Sequence, residues 1–334
     1  MKFLILCTVP ISIFIFVVSQ LFAHKLRLLD YPDFRKKHLK PTPYIGGVAL
    51  AIIFVIIIYI SDLDEKNISY ILSYGFLIAI IGLIDDRINL NAGNKLILQL
   101  LPIILLINHD FYLTNLGFIP FIGILELGSF SNVFTILCCM FLINAYNYVD
   151  GIDGLATSIS IIIIVTLLLY MGNFSTDLYR YSILIIIPLI IFLLFNISFL
   201  SLPKIFLGNS GSILLGFFIS FYAITLSEKY GLEPSLIIWP LGYIVFEFLS
   251  TTILRIVNRK SIFRAGRDHF HYEVKKILKT DFLVLLLIVS INILLNIYGY
   301  LINLFTNNLI SVFSYTCIFL VFLLVRYKSF YKKD

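Results

Sequence analysis

Residues 131–154 read SNVFTILCCMFLINAYNYVDGIDG, and the interpretation of the whole chain starts from this stretch. An apolar run over 131–148 is long enough for a membrane-spanning helix, and it leads into two carboxamides and two carboxylates. Spacings of three predict that Asn144, Asn147 and Asp150 share one helical face, with Asp153 following after a glycine. Acids so close to a bilayer are costly and usually functional, although a plain polar loop at the membrane surface is the alternative.

The composition favours an all-α, polytopic integral membrane protein. Of the 334 residues, 60% are hydrophobic and only 13% are charged, whereas soluble proteins carry about a quarter charged residues. The net charge of +6 comes from basic residues in loops between apolar runs, so we expect no nucleic-acid partner. The four cysteines lie in apolar segments without metal-like spacing. No repeat or linker divides the chain, which predicts a single domain over 1–334.

About eleven apolar runs predict transmembrane helices. They cover 3–22, 44–60, 68–84, 95–107, 131–148, 157–171, 181–200, 211–227, 234–254, 282–302 and 308–326. No cleavage pattern follows the first run, which is therefore interpreted as a span and not as a signal peptide. The stretch 111–125 is expected at most to dip into the interface. Of the 25 lysines and arginines, 21 would lie on one side, which predicts a cytoplasmic C-terminus and an external N-terminus.

The same side collects further polar segments that could carry chemistry. Asp85 and Asp86 end the third span, and adjacent carboxylates indicate a bound cation, a proton-accepting role or simply a solvated helix end. The loop LGNSGS at 207–212 precedes the eighth span. Its backbone N–H groups suit a phosphate at a helix N-terminus, although the same residues are ordinary turn chemistry.

Two basic segments lie on this side as well. The loop RAGRDHFH at 264–271 would place His269 and His271 on one side of an extended segment beside Arg267, as for gripping phosphate or sugar oxygens. Contact with anionic lipid is the alternative for this loop. The basic cluster at 35–38 would attract anionic headgroups, including a lipid phosphate, and orientation signalling alone is the alternative there. Because these polar groups gather at one membrane face and not at the bilayer midplane, an enzyme is favoured over a transporter.

Taken in order, five motifs resemble those of the polyprenyl-phosphate N-acetylhexosamine-1-phosphate transferases, and most closely the branch that uses UDP-N-acetylglucosamine. The motifs are Asp30-x-Pro32-x-x-Arg35-Lys36-x-His38 with Gly46-Gly47, Asp85-Asp86, Asn144-x-x-Asn147-x-x-Asp150-Gly-x-Asp153-Gly154, Phe206-Leu-Gly-Asn-x-Gly-Ser212 and Arg267-x-His-x-His271. The resemblance implies a Mg²⁺-dependent reaction in which a polyprenyl (undecaprenyl) phosphate attacks the β-phosphorus of a UDP-sugar and UMP leaves. This would be the first membrane step of cell-surface polysaccharide synthesis.

The resemblance also implies the setting and the partners. The chain would be a multi-pass protein of the inner (plasma) membrane with its active site on the cytoplasmic face. Its partners would be the UDP-N-acetylhexosamine, the polyprenyl phosphate, the lipid bilayer and a second copy of the chain in a homodimer.

Roles follow from the resemblance position by position. Asn147 and Asn209 match metal positions. The catalytic set is Asp85 and Asp86, which would deprotonate or orient the lipid phosphate, with Asp150 and Asp153 lining the nucleotide–metal site. The substrate-binding set is Arg35, Lys36, His38, Asn144, Asn196, Gly208, Gly211, Arg267, His269 and His271. The family usually has an aspartate where Asn209 stands, so another UDP-N-acetyl(deoxy)hexosamine, or an inactive homologue acting as a membrane scaffold, are the alternatives.

Overall fold

A computed structural model describes residues 2–32, 40–61, 66–262 and 266–331 as a helical bundle. Its helices are α1 Lys2–Leu26, α2 Gly46–Ile60, α3 Lys66–Ile88, α4 Ala92–Ile107, α5 Ser131–Val149, α6 Leu155–Met171, α7 Asp177–Asn196, α8 Gly208–Tyr230, α9 Pro234–Ile237, α10 Gly242–Val257, α11 Phe270–Leu278, α12 Asp281–Phe305 and α13 Asn308–Tyr331.

A helix lies at each of the eleven predicted spans, and the chain is a multi-pass helical membrane protein. Seven of the described helices are long and apolar enough to cross a bilayer, and three shorter ones are apolar too. The ninth predicted span is divided into α9 and α10 by a turn at 238–241. Pro240 lies in this turn and has no N–H for a helical hydrogen bond, which explains the interruption. The number of crossings and the orientation remain predictions.

Two short antiparallel hairpins qualify the all-α prediction. Strands β1 (Leu29–Asp30) and β2 (Thr42–Pro43) pair between α1 and α2, and β3 (Asn115–Ile119) pairs with β4 (Gly123–Glu126). The second hairpin occupies the stretch expected to dip into the interface. It closes through Gly123, whose φ of +94° suits glycine, so the turn dictates strand pairing where hydropathy alone indicated only an apolar segment.

Helix α8 forms the centre of the bundle, with all residues from Ser210 to Leu226 buried. Two glycines allow neighbouring helices to approach its first turn. A Cβ added to Gly47 at the start of α2 would lie 2.0 Å from the Gly211 nitrogen, and one on Gly82 near the end of α3 would lie 2.4 Å from the Ser210 Cα. Only glycine permits these contacts. The end of α3 and the starts of α2 and α8 therefore meet at one end of the bundle.

Candidate active site

A cavity of about 1270 Å³ opens at the end of the bundle where α8 begins. Its walls come from the hairpin between α1 and α2, the end of α3, the α5–α6 loop, the segment before α8, and α11. The polar lining side chains are Asp30, Tyr44, Asp86, Asn89, Asn147, Asp150, Asp153, Asn196, Lys204, Asn209, Arg267, Tyr272, Lys275, Lys276, Lys279 and Asp281. Acids and amides from distant parts of the sequence thus share one cavity with several cations.

Asp86 caps the N-terminus of α8. Its carboxylate accepts hydrogen bonds from the backbone N–H groups of Asn209, at 2.9 Å, and Ser210, at 3.1 Å. Gly208 precedes them with a φ of +73°, and a Cβ there would lie 2.8 Å from the Asp86 carboxylate. In this structure a carboxylate of the chain accepts the N–H groups of Asn209 and Ser210, and the binding of a substrate phosphate by this loop stays a prediction. Gly208 still lines the cavity with its backbone.

Asp85 points away from the cavity. Its carboxylate lies 2.8 Å from the Lys95 ammonium and accepts a 3.0 Å hydrogen bond from the Leu90 N–H. The residue is only 5% exposed. The expected cation beside the aspartate pair is thus Lys95 of α4, and the two adjacent carboxylates avoid repulsion by turning to different partners. These contacts hold the end of α3 against α4, and the catalytic role of Asp85 stays a prediction.

The α5–α6 loop places Asp150 and Asp153 in the cavity. The Asp153 carboxylate pairs with Lys204 at 2.5 Å. The Asp150 carboxylate has no hydrogen bond or ion pair with any residue that the structure describes, whereas its backbone N–H, just after α5, donates to the Tyr146 carbonyl at 3.1 Å. Burial raises the pKa of the Asp150 carboxyl to about 8, and the negative charges of Asp153 and Asp86 add to the effect. A carboxyl group in these surroundings favours a proton or a metal cation.

Two carboxamides lie beside Asp150. Asn147 accepts a 3.2 Å hydrogen bond from the Ser212 hydroxyl through its Oδ1, and Asn209 lies in the first turn of α8. Both line the cavity. No three His, Cys, Asp or Glu side chains of the described ranges group as a metal site. Mg²⁺, however, is commonly held by one or two carboxylates together with waters and substrate phosphates, so Asp150, Asn147 and Asn209 fit that ion.

Two of the predicted substrate-binding residues, Asn144 and Gly211, pack against other parts of the chain and do not line the cavity. Asn144 donates to Gln99 Oε1 at 3.1 Å and to the Met140 carbonyl at 2.7 Å, and it is not among the residues that line the cavity. The prediction of one shared face fails because three residues turn a helix by about 300°, so Asn144 and Asp150 lie about 120° apart. Gly211 is buried against Leu207 and Gly47.

Asn196 lines the cavity but is also fully engaged with the backbone. Its Oδ1 accepts from the Gly154 N–H at 2.5 Å, and its Nδ2 donates to the Ile205 carbonyl at 2.9 Å. These two bonds tie the α5–α6 loop to the segment that precedes α8. Asn196 therefore positions the loop that carries Asp150 and Asp153.

The two histidines lie behind the cavity wall. The segment is not extended, because α11 begins at Phe270, yet the rings of His269 and His271 stack at 5.4 Å. The His269 Nδ1 lies 3.2 Å from Glu247, and His271 is fully buried against Gly151. Burial lowers the pKa of the His271 imidazole to about 3. Neither ring lines the cavity, whereas the neighbouring Arg267 does, and substrate binding by the two imidazoles stays a prediction.

Several cavity residues were not singled out from the sequence. Tyr272 donates to the Gly151 carbonyl at 3.2 Å, and Lys275, Lys276 and Lys279 follow along and beyond α11. The lysines, like Lys204, were interpreted as signals of membrane orientation. The helical periodicity of 270–278, with basic residues toward its end, could have indicated a helix lying along the cavity.

The basic cluster of the first connection falls outside the described residues. Arg35, Lys36 and His38 belong to this cluster, so their substrate-binding role stays a prediction. The flanking residues Leu29, Asp30 and Tyr44 are described and line the cavity. The connection between α1 and α2 therefore begins and ends at the site.

Comparisons with known proteins show similarity to glycosyl transferases. A model of glycosyl transferase family 4 matches residues 68–227, which include Asp86, Asp150 and Asn209. The undecaprenyl-phosphate alpha-N-acetylglucosaminyl 1-phosphate transferase of Escherichia coli K12 is 27% identical over 288 residues, covering 83% of this chain and 78% of that protein.

A probable undecaprenyl-phosphate N-acetylglucosaminyl 1-phosphate transferase of Bacillus subtilis is 29% identical over 262 residues, covering 75% of this chain and 71% of its own. The Yersinia pestis relative carries the same name as the E. coli protein and is 27% identical over 288 residues. The matched segment contains most of the central helix and both aspartate motifs, and over this segment the chain is similar to glycosyl transferase family 4.

Proposed function

We propose that the protein transfers N-acetylglucosamine 1-phosphate from UDP-N-acetylglucosamine to undecaprenyl phosphate and releases UMP, in a Mg²⁺-dependent reaction. The donor sugar and the acceptor follow the names of the relatives. The reaction would take place at the cytoplasmic face of the plasma membrane, the side that the basic residues indicate. The membrane position suits a long isoprenoid acceptor, which must stay in the bilayer while its phosphate reaches the cavity.

One observation carries the proposal: an unpartnered Asp150 carboxylate lies in the same cavity as a group of cations. Lys204, Arg267, Lys275, Lys276 and Lys279 line that cavity. Phosphoryl transfer depends mainly on positioning and on neutralisation of phosphate charge. Oxygen ligands for a metal on one wall and ammonium or guanidinium groups on another match a diphosphate that bridges them.

The residues of the chain would have different roles in this reaction. Asp150, Asn147 and Asn209 would hold Mg²⁺, which when bound withdraws negative charge from the donor diphosphate. Arg267 and the lysines of α11 neutralise the remaining phosphate charge and orient the donor. An oxygen of the acceptor phosphate then forms a bond to the donor β-phosphorus, and the bond from that phosphorus to the UMP oxygen breaks.

Asp86 and Lys204 stabilise this arrangement through their contacts with other residues of the chain. The Asp86 carboxylate holds the first turn of α8 in place, so that Asn209 stays at the cavity. Lys204 compensates the negative charge of Asp153, so that the carboxylates of Asp153 and Asp86 can both lie near Asp150.

The proposal is tested by UMP release from purified protein in detergent or nanodiscs. UMP is expected only when UDP-N-acetylglucosamine, undecaprenyl phosphate and Mg²⁺ are all present. Parallel reactions with UDP-N-acetylgalactosamine and with UDP-N-acetyl-deoxyhexosamines define the donor, and UMP from one of these alone would change the sugar but keep the reaction. No UMP above the lipid-free background with any donor would contradict the proposal and favour a non-catalytic membrane scaffold.

A further inference from the structure

The last helix contains a buried arginine, although most side chains of this helix are exposed. Helix α13 exposes apolar side chains along most of its length, including Phe313, Leu320 and Leu324. Arg326 near its end is nevertheless 0% exposed. From the sequence this residue is one of the basic residues that indicate orientation. A guanidinium withdrawn from water is costly unless several groups compensate it, so its partners need explanation.

Arg326 contacts α10, α11 and the segment between them. Its Nη1 donates to the hydroxyls of Ser250, at 2.8 Å, and Thr251, at 2.7 Å, and lies 3.7 Å from the Glu247 carboxylate. Its Nη2 donates to the Asp268 carbonyl at 2.5 Å and to the Glu273 carboxylate at 3.2 Å. The planar fork of an arginine can reach all of these groups at once.

The groups that Arg326 contacts hold the segment around them. Glu247 accepts the N–H of Phe270 at 3.0 Å and lies 3.2 Å from His269 Nδ1, so it fixes the start of α11. Arg255 of α10 donates to both carboxylate oxygens of Asp268, at 2.8 Å and 2.6 Å. Asp268 is thus held through its side chain by α10 and through its carbonyl by α13.

The segment held in this way carries the cations of the cavity. Arg267 immediately precedes Asp268, and Lys275, Lys276 and Lys279 follow along α11 and just after it. Tyr272 of the same segment bonds to Gly151, the neighbour of Asp150. The segment therefore reaches the cavity beside the carboxylate proposed to bind Mg²⁺, although Arg326 itself is not among the residues that line the cavity.

We propose that Arg326 is a positioning residue for donor binding. It fixes residues 266–279 over the cavity, so that the last helix, which lies outside the segment matched by the family model, sets the affinity for the UDP-sugar. The inference rests on the proposed function for the identity of the donor. The geometric part, that Arg326 orders residues 266–279, is independent of that function.

The first test compares Arg326→Gln with Lys328→Gln, a change of an exposed residue two positions further along α13. In Arg326→Gln the KM for UDP-N-acetylglucosamine is expected to rise about 10- to 100-fold, because small displacements of binding groups cost about that much, with little change in the KM for undecaprenyl phosphate. Arg326→Lys should recover part of the affinity, since an ammonium can still pair with one of the two glutamates. Lys328→Gln should match the wild type.

The second test does not need activity. Limited trypsin digestion in detergent should cut Arg326→Gln after Arg267, Lys275 or Lys276 faster than the wild type and Lys328→Gln, while the rest of the bundle stays intact. If the wild type releases no UMP, the proposed function fails, but faster cleavage in the variant would still support the positioning role. An unchanged donor KM together with unchanged cleavage in a folded Arg326→Gln would overturn it. So would an equal rise in the KM of both substrates.

Discussion

The chain carries two pairs of aspartates at the same end of the bundle, and they are used differently. At the end of α3, the Asp85 carboxylate binds Lys95 and the Leu90 N–H, and Asp86 binds two N–H groups of α8. In the α5–α6 loop, Asp153 pairs with a single partly exposed lysine. The Asp150 carboxylate has no such partner in the part of the chain that the structure covers.

The difference indicates which acids organise the site and which one is available to a ligand. A carboxylate that already accepts two or more hydrogen bonds, or an ion pair, stabilises the fold and has little capacity left for a cation. A partly buried carboxylate without partners costs free energy in the unliganded protein, and a metal cation removes that cost when it binds. We therefore expect the two pairs to respond differently to mutation.

The largest effect on activity is expected for Asp150→Asn. The amide keeps the shape of the side chain but removes its charge, so UMP release should fall about a thousandfold, as it does when a charge-stabilising group is removed from an active site. The free energy of unfolding should not fall, since an unpaired charge is eliminated. Near-normal turnover of a folded Asp150→Asn protein would contradict the assignment of Asp150 as the ligand-binding acid.

The Asp86→Ala and Asp153→Ala variants should distinguish the effect of the α8 cap on stability from the effect of each acid on UMP release. Both changes should lower UMP release strongly. Only Asp86→Ala should also destabilise the protein, by about 1–2 kcal/mol, because the N-terminus of α8 loses its cap. The Asp153–Lys204 pair is partly exposed, and its loss should cost at most about 1 kcal/mol. Thermal unfolding in detergent measures the difference, and equal stabilities of the two variants would show that the cap is unimportant.

Asp85→Asn should affect stability more than activity. It leaves the partly exposed Lys95 without its carboxylate partner, which should lower the free energy of unfolding by about 1–3 kcal/mol, while most of the turnover remains. Adding Lys95→Met should restore much of that stability, because no unpaired charge is then buried. A loss of UMP release as large as that of Asp150→Asn, in a folded Asp85→Asn protein, would return Asp85 to the catalytic set.

The last prediction concerns stability and not activity, and it is a pH dependence of stability that arises from Asp150. The pKa of its carboxyl is about 8 in the folded protein and near 3.8 in the unfolded chain. The folded state therefore binds the proton more tightly, and stability should decrease as the pH rises from about 4 to about 8. Unfolding temperatures measured in EDTA across this range should fall less steeply in Asp150→Asn, and identical slopes would contradict the shift.

Much of the site could be predicted because its polar groups interrupt apolar runs. Asp86, Asn147, Asp150, Asp153 and Asn209 were all identified from such interruptions, and all of them line one cavity. Asn144 and Asp85 were included with them, because spacing and adjacency alone do not show toward which neighbour a side chain turns. Their partners, Gln99 and Lys95, both lie on another helix, α4, and Gln99 is 45 residues from Asn144 in the sequence.

Basic residues were the harder class to interpret. A lysine or arginine at the end of a span has the same appearance in the sequence whether it faces lipid headgroups, binds substrate or is buried in an ion pair. Lys204 and Lys275 line the cavity, whereas Arg255 and Arg326 are buried behind it. Only packing distinguishes these cases.

The amino-acid sequence by itself determined that this is a helical membrane protein, where its long apolar helices lie and which motifs carry acids and amides, because hydropathy and composition are local properties. The tertiary structure decided the use of each polar group. Asp86 caps α8 because Gly82 and Gly208 bring the two chain segments into contact, and Asp150 stays available because no described partner reaches it. Hydrogen bonds and ion pairs join residues far apart in sequence, and their geometry exists only after the helices have packed.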